Sequence, residues 1–241
     1  MAKIDTALKF LKKRKFCSAV IVASGSSTRA GRDKIFASLC GVEVLARTLS
    51  VFERCTCIDE VILVVRQDKI EASAELCKRN GFDKVVKIVC GGETRMHSAL
   101  AGVAEVSRKA SLIAIHDGAR PLVTEELITE VVHNAVLYKA AAPAVAVKDT
   151  LKRVDHHFMV QTLSREETAA VQTPQVFEAT LIKAALADAV SRKLPLTDDC
   201  SAAELFGVKA RLVPGSEENL KLTTPLDFII AEAIMKSREK E

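Results

Sequence analysis

Short apolar runs punctuate the first two thirds of the chain: Ala19 to Ala23, Val61 to Val65, Val85 to Val89, Leu112 to Ile115 and Ala141 to Val147. They hardly alternate with polar residues, which predicts strands covered on both faces, as in a parallel sheet. Between them Leu45, Leu49 and Phe52, and later Leu127, Val131 and Val132, recur near the 3.6-residue helical period. Strand, helix, strand, helix predicts an α/β doubly wound, Rossmann-like, mostly parallel sheet with right-handed crossovers.

The rhythm breaks after Val147. Residues 148–174 mix charges, a His156-His157 pair and single apolar residues, which predicts an extended arm or hairpin projecting from the sheet. Helical patterning returns from Glu178 to Arg192, and Val208 to Val213 predicts one more strand. The last helix carries its own start signals: Thr224 as N-cap, Pro225 in the first turn and Asp227 completing a capping box. Leu226, Ile229, Ile230, Ala233 and Ile234 then predict its buried face. Residues 1–16 stand apart as a basic extension, with Ile4, Ala7, Leu8 and Leu11 at helical spacing before the run Lys12 to Lys15. They read as a short docking helix or a frayed extension. The order of apolar and charged residues is wrong for a signal peptide. One domain, residues 17–241, with residues 148–174 as an arm for dimerisation, is the expected organisation.

Composition narrows the class. Hydrophobic residues make up 49% of the 241 and charged residues 27%, too apolar for a disordered chain. No apolar run reaches the 18 or so residues of a membrane-spanning helix. The net charge of +4, from 35 Lys and Arg against 31 Asp and Glu, is mild and suits an anionic small molecule as well as a polynucleotide. The seven cysteines are scattered, without CxxC pairs or zinc spacing, as expected of reduced cytoplasmic thiols.

In open α/β sheets ligands bind beyond the carboxyl ends of the strands, so the segments following each strand are where chemistry is expected. The first is Ala23-Ser24-Gly25 through Arg29 to Lys34, small residues with two cations. It can bring backbone N–H groups to phosphate oxygens, yet it is neither a P-loop nor the dinucleotide GxGxxG. The second is Gly91-Gly92-Glu93-Thr94-Arg95, opening a helix that carries Ser98. The third is His116-Asp117-Gly118-Ala119-Arg120-Pro121. A single buried His is more often structural than catalytic, whereas Asp117 and Arg120 beside a crevice have no packing role. No HExxH, nucleophile elbow or deaminase signature occurs. Phosphate handling by electrostatics, without covalent catalysis, is therefore expected.

These three segments, followed by Lys148-Asp149-Thr150, Arg165, Thr173-Pro174-Gln175, Leu196 to Asp199 and Asn219 to Thr223, resemble the 2-C-methyl-D-erythritol 4-phosphate cytidylyltransferase family. The resemblance runs in order from Cys17 onward. The opening triplet departs from the family's usual Ala-Ala-Gly, and the segment from Arg29 to Lys34 is about two residues shorter than its counterpart. The resemblance implies a nucleotide-sugar transferase type of sheet and transfer of a cytidylyl group from CTP to 2-C-methyl-D-erythritol 4-phosphate, releasing pyrophosphate, a step of non-mevalonate isoprenoid synthesis. It implies that Ala23, Ser24, Gly25, Gly92, Glu93 and Ser98 hold the cytidine. Arg29, Lys34 and Lys221 would act on the triphosphate, with a magnesium ion held largely by phosphate oxygens and no side-chain metal site. Asp117, Arg120, Thr150, Arg165, Thr173 and Thr197 would hold the sugar-alcohol phosphate. In the family the arm crosses to a second subunit, so a homodimer is implied, with no nucleic-acid or membrane partner. A ribitol-5-phosphate cytidylyltransferase of teichoic acid synthesis is the nearest alternative, and a non-catalytic nucleotide-binding protein a lesser one.

Overall fold

The chain orders its elements as a computed structural model that describes residues 14–25 and 33–239. Arg29 and most of the 1–16 extension lie outside the described residues. In chain order the elements are β1 (Cys17–Val22), β2 (Ser38–Leu39), β3 (Val42–Glu43), α1 (Val44–Arg54), β4 (Glu60–Val65), α2 (Ile70–Asn80), β5 (Val85–Cys90), α3 (Arg95–Ala104) and β6 (Leu112–Asp117). They continue as α4 (Glu125–Tyr138), β7 (Ala140–Ala146), β8 (Lys152–Asp155), β9 (Phe158–Thr162), β10 (Ala169–Val171), β11 (Gln175–Glu178), α5 (Ala179–Ser191), α6 (Asp199–Glu204), β12 (Arg211–Pro214) and α7 (Pro225–Arg238).

The main sheet runs β10-β7-β11-β6-β1-β4-β5, with β12 also paired to β7. β1 is parallel to both β4 and β6, and β5 is parallel to β4. β11 runs antiparallel between β6 and β7, so the sheet is mixed but mostly parallel. The unbroken apolar runs have their expected cause in three strands but not in β5, which lies at the edge of the sheet with no buried residue, nor in the second half of β7. Every residue of β1, β4 and β6 is buried. Ile21, Leu45, Leu49, Phe52, Leu63, Ile128 and Val131 fill the layer under α1 and α4. Val20, Ile62, Val64, Val103, Ile113, Ile182 and Leu186 fill the opposite layer under α3 and α5. A Cβ on Gly102 would collide with Val20 and Val64, so glycine lets α3 lie close against the sheet.

The structure corrects the last helix. Its capping box closes, with the Asp227 carboxylate accepting the Thr224 N–H at 2.6 Å. Its expected buried face does not form. Leu226, Ile229 and Ile230 are exposed, Ala233 is exposed too, and Ile234 is half-buried. Phe228 and Ala231 take the inner position, against Leu39, Val44, Leu122 and Leu222. The helix is apolar around most of its circumference, so periodicity alone cannot choose a face. Phe228, the helix's aromatic residue, takes the core side. The expected strand from Val208 is also shorter, beginning at Arg211, because Val208 and Ala210 pack against the α5 layer instead of joining the ladder.

Residues 148–174 contain a separate hairpin, β8 paired to β9, entirely exposed. His156 and His157, both at positive φ, form its two-residue turn. A tight hairpin turn of this kind matches the right-handed twist of its strands. Not all of this segment projects, since β10 rejoins the main sheet on the edge of β7. Among the described residues, no helix is long and apolar enough to cross a membrane.

Candidate active site

The carboxyl ends of β1, β5 and β6 converge on one cluster. After β1, the Ser24 hydroxyl bonds to that of Ser98 at 2.8 Å. The Ser98 oxygen also accepts the Gly92 N–H at 3.1 Å. A Cβ on Gly91 would fall on the Ser24 side chain, so glycine there is what allows the first and second loops to touch. Thr94 caps α3 by accepting the His97 N–H at 3.2 Å. Gly25, Gly92 and Glu93 are left exposed around this turn, and Ala23 is buried beneath it.

Asp117, at the end of β6, is the centre of the charged part. Its carboxylate meets Arg95 at 3.0 Å, Lys221 at 2.8 Å and Arg120 at 3.8 Å. Burial alone would push the Asp117 carboxyl up, but the charges of Arg95, Lys221 and Arg120 overcome it and hold it well below the ordinary carboxylate range. Arg95 also reaches Asp199, the first residue of α6, at 2.8 Å. Burial pushes the Asp199 carboxyl up, with Arg95 opposing.

Behind Asp117 runs a chain of neutral hydrogen bonds. The Asp117 N–H donates to the Thr173 hydroxyl oxygen at 3.1 Å, and that hydroxyl lies 3.0 Å from His116 Nδ1. His116 Nε2 lies 3.3 Å from the Arg120 carbonyl, which can only accept. The proton therefore belongs on Nε2, and Nδ1 accepts from Thr173. Burial drives the His116 pKa down to about 3, so the ring is neutral. His116 is thus a structural residue that fixes the loop. Asn219 completes the support, its side-chain amide donating to the Thr173 carbonyl at 3.0 Å while its backbone carbonyl accepts from Arg120 at 2.6 Å. This brace aims Lys221, two residues on, at Asp117.

The structure brings Ser24, Gly92 and Ser98 into one loop contact, and Asp117, Arg120, Thr173 and Lys221 into one charged cluster. Lys34 opens the half-buried turn that follows Asp33. The Asp33 carboxylate pairs with Lys69 at 3.1 Å. Thr197 lines a cleft of about 820 Å³ with Asp198, Ser201 and Glu167, two residues from Asp199. Thr150 and Arg165 are elsewhere, together in a cleft of about 250 Å³ at the base of the arm, with Thr162 and Leu163. None of the Asp117 cluster lines that cleft. Arg95 and Asp199 were absent from the expected site residues. The signal available for them was weak, a lone Arg after Gly-Gly-Glu-Thr and a second Asp after an N-cap Asp.

Residues 17–237 match the IspD family model, described as 2-C-methyl-D-erythritol 4-phosphate cytidylyltransferase. The chain belongs to this family. An enzyme of that name from Halalkalibacterium halodurans is 44% identical over 225 residues, covering 92% of this chain and 98% of that one. Another from Caldanaerobacter subterraneus is 42% identical over 223 residues, covering 91% and 98%. Among solved structures, 4-diphosphocytidyl-2C-methyl-D-erythritol synthase from Anaerococcus prevotii superposes with a TM-score of 0.83 at 32% identity, covering 92% of this chain and 96% of that one. The cytidylyltransferase match begins where the basic extension ends, so the fold and the cluster around Asp117 lie wholly within the family region.

Proposed function

We propose that this chain is a nucleotidyltransferase that moves the cytidylyl group of CTP onto 2-C-methyl-D-erythritol 4-phosphate and releases pyrophosphate, supplying isoprenoid precursor synthesis. The observation that carries the reading is the match of residues 17–237, at up to 44% identity with enzymes of that name. The names of the relatives give the ribitol-5-phosphate alternative no support.

The chemistry fits the residues. A phosphate monoester has a second pKa near ~6, so near neutrality the acceptor is mostly dianionic and attacks the α-phosphorus without a general base. The task left for the protein is to hold two anions in line and to stabilise charge on the departing pyrophosphate. Lys221, Lys34 and Arg29 are assigned to the triphosphate, and Arg120, beside Asp117, supplies fixed charge for the acceptor phosphate. Both Asp117 oxygens are engaged by Arg95 and Lys221, so this carboxylate is poorly placed to be a metal's main ligand. That donor set suits a magnesium ion carried by the triphosphate oxygens, where it would neutralise charge on the leaving group. A reducing, cytoplasmic setting is part of the same reading.

The arm supports a dimer. Phe158 and Met159 are about three-quarters exposed, at 75% and 73%, and Val154 and Val160 are exposed with them. An isolated two-stranded hairpin with such a surface is marginal in water, and a two-fold related copy is its simplest cover. Arg165 and Thr150 would then serve the partner's acceptor site. Pyrophosphate release by the purified full chain tests the activity. It should require both CTP and the methylerythritol phosphate, and CTP binding without turnover under magnesium would leave only the nucleotide-binding alternative.

A further inference from the structure

Arg95 occupies an unusual place between the two halves of the site. Its backbone opens α3 immediately after the Gly91-Gly92-Glu93-Thr94 turn, where the cytidine is assigned. Its guanidinium reaches away from that turn, to Asp117 of β6 at 3.0 Å and Asp199 of α6 at 2.8 Å. The turn does not depend on this side chain, because Thr94 and Ser98 hold it through their own hydrogen bonds. Both carboxylates are buried, and Asp199 is fixed in place from behind. Gln175 accepts the Asp199 N–H at 3.0 Å and donates to Asp198 at 2.9 Å. Arg95 therefore ties the strand-end carboxylate of Asp117 to that of Asp199, whose backbone N–H is held by Gln175. With Oδ1 of Asp117 held by Arg95, Oδ2 is the oxygen left facing Lys221 and Arg120.

We propose that Arg95 is a positioning residue for the acceptor phosphate: by holding Oδ1 of Asp117 it leaves Oδ2 to gather Arg120 and Lys221, and so sets where Arg120 meets the second substrate. Three cations meet two carboxylates in this cluster, leaving one positive charge for an incoming phosphate. Without Arg95 the cluster is neutral, and Asp117 is left to Lys221 and Arg120, with its Oδ1 no longer held. A lysine at position 95 restores the charge but not the bridge, since one compact ammonium cannot hold two carboxylates in the geometry of a planar fork. The proposal rests on the assignment of Asp117 and Arg120 to the sugar-alcohol phosphate.

The test compares the wild type with Arg95→Lys, Arg95→Ala and the double variant Arg95→Ala/Asp199→Asn, using the full chain. Wild-type turnover with the methylerythritol phosphate is measured first, and its absence refutes the assigned activity rather than the role of Arg95. Given an active wild type, Arg95→Lys should keep its melting temperature and its KM for CTP within about threefold. Its KM for the acceptor should rise by about tenfold or more, the scale of a small misplacement of a substrate-holding group. The double variant, which removes the uncompensated buried charge on residue 199, should regain thermal stability lost in Arg95→Ala while its acceptor KM stays high. The proposal is overturned if Arg95→Lys leaves the acceptor KM unchanged, if both KM values rise together, or if the double variant recovers stability and acceptor KM in parallel.

Discussion

Lys221 is held at 2.8 Å from Asp117 yet remains 40% exposed, a charge kept near a strand end without being locked away. Asp117 is also held by Arg95 and Arg120, so removing Lys221 does not leave the buried carboxylate unpaired, and the exposure of the lysine points to ligand handling. Lys221→Ala and Lys34→Ala should each lower turnover by on the order of 10²–10³, the scale of one preorganised charge contact, with near-normal melting curves. Near-normal turnover in both variants removes these lysines from the mechanism. His116 makes the opposite case, a buried ring whose work is structural. Its folded pKa of about 3 lies below the ordinary 6.5, so the unfolded chain binds the extra proton first. The stability it contributes is complete above about pH 6.5 and is lost as pH falls toward 3, at up to about 1.4 kcal/mol per pH unit. Denaturant melts at pH 7 and pH 5 check this: the wild type should lose more stability on acidification than His116→Asn, and equal losses contradict it. The segment His116 to Pro121 was legible as a site, because charges at a strand end have few other uses. Arg95 and Asp199 were not, since their pairing joins residues 104 apart in sequence and no local spacing encodes it.

Elements were legible wherever one physical cause dominated. β1, β4 and β6 are apolar without alternation because layers of helices cover both faces, and α5 runs almost as its pattern predicts, from Ala179 to Ser191. The inner face of α7 was not legible, because Leu226 and Ile229 compete with Phe228 and the choice rests on packing against residues distant in sequence, Leu39 and Leu122. The segment was legible as an extended arm or hairpin, which β8 and β9 form, but the return of β10 to the sheet depends on pairing with β7 that its three residues do not announce. The arm also carries the sharpest consequence. Arg165 is remote from the Asp117 cluster within its own chain, so a role at an acceptor site requires a second subunit. Arg165→Ala and Lys34→Ala should each be nearly inactive alone. When the two are mixed under conditions that exchange subunits, one site of each mixed dimer inherits both defects and the other neither. Activity should partly return, and a mixture that stays inactive despite demonstrated exchange rules out a shared site.

At the scale of the whole molecule, a mixed sheet brings three loops to one edge: one offers bare backbone, one offers paired hydroxyls, and one offers a carboxylate ringed by cations. In the proposed function, a backbone pocket pairing with a cytosine edge would leave polar groups unmet by other bases, and a cationic cluster beside it would favour a phosphorylated acceptor. A competition between acceptors probes the second demand directly. CTP, magnesium, 2-C-methyl-D-erythritol 4-phosphate and an equal amount of ribitol 5-phosphate are incubated with the full chain, and the products are resolved by phosphorus NMR. The methylerythritol diphosphocytidine should accumulate in step with pyrophosphate, with ribitol 5-phosphate left unconsumed. Preferential formation of the ribitol product, or no cytidylyl product from either acceptor, contradicts the assigned function.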